Sequence, residues 1–334
     1  MRGEEWNPGT LLELSGYFWK TGTLHAAVKL DVFTVIGERA MGVEETAAAA
    51  GTDTDATCRL LDALVSMEML SKEGDVYVNT DASARYLSKS SPEYIGHMIM
   101  HHHHLVSLWH RLDESVRTGG PVRETGGDES FRDEVEREAF LMGMFNMAMV
   151  AAPGLVEHVD LGGRCRMLDM GGGPGTYSIH FCRKYPGLTA TVFDLETTRP
   201  FAEKTIDRFG MNGRIEFEGG SYLDQELPGG YDVVWMSHIL HGEGYEACRR
   251  MIEKAWRALE PGGIVVIHEF ILDDTRTNPL FPALFSLNML VGTESGRAYT
   301  EGEIAGMLEA AGFSGIERIP WSGPTQSGLM TAAR

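Results

Sequence analysis

Basic residues are scarce in this 334-residue chain: 29 Lys+Arg stand against 48 Asp+Glu, a formal net charge of −19. A surface that acidic repels a phosphate backbone, which argues against nucleic acid as a partner. Cysteine is scarce too. Cys58, Cys165, Cys182 and Cys248 are too few for a disulfide framework, and no pair has metal-ligand spacing. They read as buried free thiols in a reducing compartment. The most apolar stretch, Phe145 to Val156, is shorter than a bilayer crossing and contains Pro153 and Gly154. The opening Met-Arg-Gly-Glu-Glu-Trp is acidic where a secretory signal would be basic, so a soluble cytoplasmic protein is expected. Hydrophobic residues at 43% and charged residues at 23% are ordinary globular values, which exclude disordered, collagen-like and coiled-coil classes. The length suggests about two domains.

Three zones follow one another: 1–95, 96–160 and 161–334. In the first, Leu24, Val28 and Leu30 to Ile36 predict an amphipathic helix stopped by Gly37. Val43 to Ala50 is a short helix ended by Gly51, and Asp55 to Met69 is a third. Gly74-Asp75, between Leu70 and the alternating Val76, Tyr77 and Val78, reads as a two-stranded wing. The whole zone has the winged-helix order. The second zone is helical, with glycine breaks at Gly119-Gly120 and Gly126-Gly127. Its helix from Glu134 to Ala152 is apolar almost all round and should be buried. In the third zone, Met167 to Met170, Thr189 to Asp194, Ile215 to Glu218, Tyr231 to Met236 and Ile264 to Leu272 are strand-like. Helical segments separate most of them, which predicts an α/β domain with a doubly wound, mostly parallel sheet.

The strongest local signal is Leu168-Asp169-Met170-Gly171-Gly172-Gly173-Pro174-Gly175, after a strand and before a helix. Its glycines allow a sharp turn and a close ligand approach. Asp194 ends the next strand, 23 residues beyond Gly171, where a carboxylate can accept both hydroxyls of a ribose. A dinucleotide fingerprint would need a third glycine where Thr176 stands. Asp169, two residues before the first glycine, instead suits a nucleoside cofactor with a cationic amino group.

On these motifs the chain resembles the S-adenosylmethionine-dependent O-methyltransferases of the caffeate and acetylserotonin type, with their bacterial antibiotic-tailoring relatives. The resemblance implies a Rossmann-like class I methyltransferase domain preceded by a mainly α winged-helix dimerisation domain. It places the cofactor against Asp169, Gly171, Gly173, Asp194 and Leu195. Gly219-Gly220-Ser221-Tyr222 matches the segment along the adenine, with Ser221 where the family usually has Asp. Ser237 takes a place beside the cofactor that the family fills with lysine or serine. The catalytic histidine position falls on His241, followed here by Gly242-Glu243 rather than Asp-Trp, and Glu269 matches the glutamate that holds it. A second glutamate of plant members matches Ala298; Glu294 lies nearby in sequence but is not its equivalent.

Methyl transfer from a sulfonium needs in-line alignment and a deprotonated acceptor. A phenol, with pKa near 10, is mostly protonated at neutral pH, and a histidine, ordinarily near 6.5, is the natural base. His241 therefore reads as the base, with Glu269 orienting its ring, while His238 reads as a structural or pocket-lining residue. The resemblance sets the Met-rich helix with Met142, Met144, Phe145, Met147 and Met149 over an acceptor pocket with Trp109, Phe285, Asn288 and Met289. Such a pocket suits a small, largely apolar or aromatic acceptor. Methylation of sulfur or carbon, or a diverged hydroxylase or decarboxylase, are the alternatives. His97, His101 and His104 share one helix face, yet lack a carboxylate or Cys partner, so no metal is expected.

A cofactor-sensing DNA regulator is the reading from a different class. Residues 1–95 carry eight Lys+Arg and fifteen Asp+Glu, and Asp55 to Met69 holds only Arg59 against Asp55, Asp62 and Glu68. A DNA-reading helix needs a basic face, so pairing of two copies is the expected use of this segment.

Overall fold

The computed structural model describes residues 5–122 and 134–334 and divides into two compact units. The first takes residues up to His104 together with Glu138–Asn146; the second takes Leu105–Arg137 and everything from Met147 onward. Gly126-Gly127 lies outside the described residues.

In chain order the first unit begins with α1 (Pro8–Gly16), α2 (Phe18–Lys29), α3 (Val32–Ile36), β1 (Met41–Gly42), α4 (Val43–Ala50) and α5 (Thr54–Ser66). It continues with β2 (Leu70–Glu73), β3 (Val76–Asn79), α6 (Asp81–Tyr86) and the start of α7 (Gly96–Trp109). The expected single helix through Leu30 to Ile36 is broken. Asp31 takes a left-handed φ of 58°, its carboxylate pairing with Lys89 Nζ at 3.1 Å. Aspartate tolerates that conformation, and the break turns Val32, Phe33 and Ile36 into the core. The wing gains a third strand, in the order β1-β3-β2, all antiparallel. Phe33, Ile36, Leu61, Leu64 and Tyr77 fill the core beneath it. Tyr77 OH donates to Asp62 Oδ1 at 2.8 Å, and Asn79 Nδ2 donates to Phe33 O at 2.7 Å, so the sheet is tied to α5 and α3.

The next helices are α8 (Leu112–Thr118) and α9 (Glu134–Leu155), the latter three residues longer than expected and running through Pro153. With the turn that follows it spans Glu134–His158, 25 residues. By length and composition that is enough to cross a membrane, which corrects the expectation drawn from Phe145 to Val156 alone. Over half of its most apolar window is buried inside the protein, the profile of a core helix.

The second unit is built on β4 (Arg166–Met170), α10 (Thr176–Lys184), β5 (Thr189–Asp194), α11 (Arg199–Arg208), β6 (Ile215–Gly219), β7 (Tyr231–Ser237) and α12 (Tyr245–Ala258). Then come β8 (Leu259–Glu269), α13 (Leu280–Gly292), α14 (Glu301–Ala311), β9 (Ser314–Ile319) and β10 (Gly328–Ala333). The sheet order is β6-β5-β4-β7-β8-β10-β9, with the first five strands parallel and β10 antiparallel to both neighbours. Successive side chains of β7 feed opposite cores. Val233 and Trp235 pack with Ile179, Phe181 and Ile206, while Val234 and Met236 pack with Met251, Ile252 and Leu308. A sheet covered on both faces explains why its strands are near-continuous apolar runs. β8 starts and stops earlier than expected; Leu272 instead makes an isolated parallel bridge to Thr300. The thiols also differ from expectation: Cys182 and Cys248 are buried, Cys58 is half-buried, and Cys165 is exposed just before β4.

Candidate functional site

The chain runs outward from β4 through β5 to β6, then returns to lay β7 on the other side of β4. Doubly wound sheets bind ligands at the carboxyl ends of the strands where the order reverses in this way. Asp169 and the glycine loop, Asp194, Gly219, Ser237 and Glu269 all sit at those ends.

Gly171, Gly173 and Gly175 take φ of 67°, 53° and 77°, which glycine adopts without strain. A Cβ on Gly171 would stand 2.5 Å from Ile239 Cγ2 and 3.3 Å from Tyr222 Cε1, so only bare backbone fits there. Asp194 reaches back across the loop: Gly173 N donates to its Oδ2 and Leu195 N to its Oδ1, each at 2.7 Å. Thr198 Oγ1 adds a donor at 3.1 Å. Leu195 is half-exposed beside it, and burial pushes the Tyr222 hydroxyl up. Ser221 Oγ donates to Asp224 Oδ2 at 2.8 Å, closing a local turn.

Asp169 is fully buried. Its Oδ2 accepts from Ser178 Oγ at 2.6 Å, and its Oδ1 has no hydrogen-bond partner among the described residues. Burial raises this carboxyl to about 7; Ser178 opposes the rise and Asp194 adds to it. An unsatisfied buried carboxylate oxygen calls for a donor. Beside it lie a bare glycine turn and a second carboxylate, Asp194, bonded to the loop through Gly173 N. These residues therefore fit a nucleoside bearing an ammonium group, such as S-adenosylmethionine.

The second cluster comes from the β7–β8 register, which pairs Ser237 with His268 and so sets His238 beside Glu269. His241 Nδ1 lies 2.7 Å from Glu269 Oε1, and His238 Nδ1 lies 3.3 Å from the same oxygen. Phe270 N also donates to Oε1, at 2.7 Å, and His241 N donates to Oε2, at 3.3 Å. Burial alone would push the Glu269 carboxyl up, but the two histidines outweigh it and hold it well below the usual range. Phe270 stacks on the His241 ring at 5.7 Å and Phe285 meets its edge at 4.7 Å, so the ring plane is fixed from two sides. Ser237 Oγ lies 2.9 Å from His268 Nδ1, and His268 Nε2 lies 2.9 Å from Ser327 Oγ. Glu243 is half-buried near His241, its carboxyl raised by burial. Ala298 is buried, with nothing longer than a methyl to offer.

Among the acceptor-pocket candidates, Trp109 Nε1 donates to Asn288 Oδ1 at 2.9 Å, and Met289 is buried on the same helix as Phe285. Met149 also belongs to this unit, whereas Phe145 is buried in the other. Phe270, tilted against Phe285 at 4.4 Å, and Phe281, stacked on it at 6.1 Å, lie in no motif that singles them out in the sequence. His97 and His101 lean on Tyr94 and Phe140. Among the described residues, potential metal ligands converge at His238, His241 and Glu269, and His97, His101 and His104 form no such group.

Residues 102–314 match the family of O-methyltransferase domains, and residues 12–89 match the O-methyltransferase dimerisation domain. The 3-hydroxy-5-methyl-1-naphthoate 3-O-methyltransferase of Streptomyces sahachiroi is 34% identical over 98% of this chain and 95% of its own. The tetracenomycin polyketide synthesis 8-O-methyl transferase of Streptomyces glaucescens is 32% identical over 95% and 94%. The human N-acetylserotonin methyltransferase, solved in complex with S-adenosylmethionine, superposes with a TM-score of 0.87 at 27% identity, covering 100% of this chain and 99% of that one. The glycine loop, the two acids and these matches along the whole length make one case: the chain belongs to the S-adenosylmethionine-dependent O-methyltransferase family.

Proposed function

We propose that His241 is the general base with which this methyltransferase deprotonates the hydroxyl of a small aromatic acceptor, and that Glu269 positions it. S-adenosylmethionine, when bound, supplies an electrophilic methyl group on a sulfonium. The chain's part is then to align the acceptor oxygen and take its proton. With Nδ1–H donated to Glu269, the His241 lone pair is on Nε2, which serves as the proton acceptor. The buried Glu269 charge stabilises the imidazolium that results. The observation that carries this reading is the 2.7 Å contact between His241 Nδ1 and a buried carboxylate that also accepts from Phe270 N and His241 N, with His238 Nδ1 at 3.3 Å.

Asp169, Gly171, Gly173, Asp194, Leu195, Ser221, Tyr222 and Ser237 form the proposed cofactor cradle. Phe285, Met289, Met149 and the Trp109–Asn288 pair support an aromatic acceptor, as do the activities for which the naphthoate and tetracenomycin relatives are named. Residues 1–95 pair two copies in this reading. In support, Leu12, Phe18 and Trp19 are 74%, 63% and 71% exposed on α1 and α2, an apolar surface that a monomer would leave in water. The acidic balance supports a small-molecule partner rather than nucleic acid or an anionic membrane surface, and the sparse cysteines support work in the cytoplasm.

The test is turnover of a hydroxynaphthoate by His241→Ala. A fall of at least about 100-fold, with cofactor affinity nearly intact, is expected. Unchanged turnover would remove the base role and direct attention to sulfur acceptors.

A further inference from the structure

We propose that His238, His241 and Glu269 form a binding site for a zinc-class divalent cation, and that metal bound there switches the enzyme off. The inhibitory half rests on His241 being the base; the site itself does not.

The donor set is two imidazoles and one carboxylate, a combination that takes zinc with one position left open. The candidate ligand atoms all lie within 4.8 Å of one another. Tetrahedral zinc, with bonds of 2.0–2.2 Å, sets its ligands about 3.3 Å apart. His238 Nδ1 and Glu269 Oε1 stand at 3.3 Å, and His241 Nδ1, at 2.7 Å, must open by about half an ångström. The carboxylate is pre-positioned, since Phe270 N donates to it and its side chain is 1% exposed. The imidazoles are 23% and 14% exposed, so an ion has an approach. His238 adopts a left-handed φ of 56° in turning its ring to Glu269. A non-glycine residue held there carries local strain, and the ring also packs against His268 and Phe270 at 4.2 and 4.3 Å.

The consequence follows from imidazole chemistry. A neutral histidine has one N–H and one lone pair. Metal on His241 Nδ1 uses the lone pair there, so the displaced proton resides on Nε2. No net proton is lost, but Nε2 becomes a donor and can no longer take the acceptor's proton. Glu269 is simultaneously drawn from hydrogen bonding into coordination.

The experiment uses the full chain stripped with EDTA. Calorimetric titration with ZnCl2, and the d–d absorption of a four-coordinate Co2+ form, report binding without reference to turnover. Other histidines, the His101–His104 run above all, are separated by variants. His238→Asn keeps a residue that tolerates positive φ, and should weaken the tight zinc class at least tenfold and bleach the Co2+ band. A variant with His101 to His104 replaced by Gln should retain both. Saturating zinc should lower turnover at least about tenfold, reversibly with EDTA. Undiminished zinc affinity and an intact Co2+ band in His238→Asn would overturn the site. Zinc held through His238 with turnover unchanged or raised would overturn the inhibition, and would separately count against His241 as base.

Discussion

Asp169→Asn probes the glycine-loop acid through pH. Burial pushes the wild-type carboxyl up to about 7 in the folded chain, against an ordinary 3.8. Between those values the folded protein holds a proton that the unfolded chain has lost. The Asp169 contribution to stability is therefore fully present below 3.8, falls as pH rises through the window, and is lost above 7. The full cost is on the order of 4 kcal/mol for a gap of roughly three pH units. The sequence pI of about 5.0 makes pH 6 and pH 8 the practical comparison. Between them the cost grows by roughly 1.3 kcal/mol. Asparagine keeps the shape and carries no charge. In urea unfolding without cofactor, its advantage over wild type should therefore widen by about 1 kcal/mol from pH 6 to pH 8. A donor reaching Oδ1 favours the ionised form, so wild-type affinity for S-adenosylmethionine should rise about tenfold over the same interval, and that of Asp169→Asn should not. Parallel stability curves and parallel affinity curves for the two proteins would refute the reasoning.

Other outcomes follow from the same geometry. Gly171→Ala combines a φ of 67° with a Cβ at 2.5 Å from Ile239, and should lose roughly 2 kcal/mol of stability together with most cofactor affinity by calorimetry. Glu269→Gln keeps the shape but removes the charge shared by two histidines; turnover should fall about 10- to 100-fold while cofactor affinity stays within a factor of about three. Leu12→Glu with Trp19→Glu places charge on the exposed faces of α1 and α2, and sedimentation should shift from dimer to monomer with no change in the fold by circular dichroism.

Much of this molecule was legible in its residues, for identifiable reasons. Strands such as Tyr231 to Met236 are short, mostly apolar runs between turn signals, because both faces of the sheet are covered, and the observed Tyr231–Ser237 is one residue longer. Gly51 and Gly37 stop helices where left-handed or unusual backbone demands them. The antiparallel pair β9 and β10 left no comparable signal: Ser-Gly-Ile-Glu-Arg-Ile is half polar and largely exposed, and Gly-Leu-Met-Thr-Ala-Ala has few strand-forming residues. Asp31 breaks a helix through its backbone angle and a bridge to Lys89, neither visible in periodicity. At the site, His241 and Glu269 were found through their motifs, whereas the second claim on Glu269 by His238 depends on the register of two strands 31 residues apart.

The central claim is that His241 takes the acceptor's proton. Its most direct test compares His241→Ala with wild type on two phenols of one shape, one with an ordinary pKa near 10 and one acidified to about 7. A base needed only to ionise the acceptor predicts at least about a 100-fold loss on the first and a far smaller loss on the second. Equal losses on both would contradict the account.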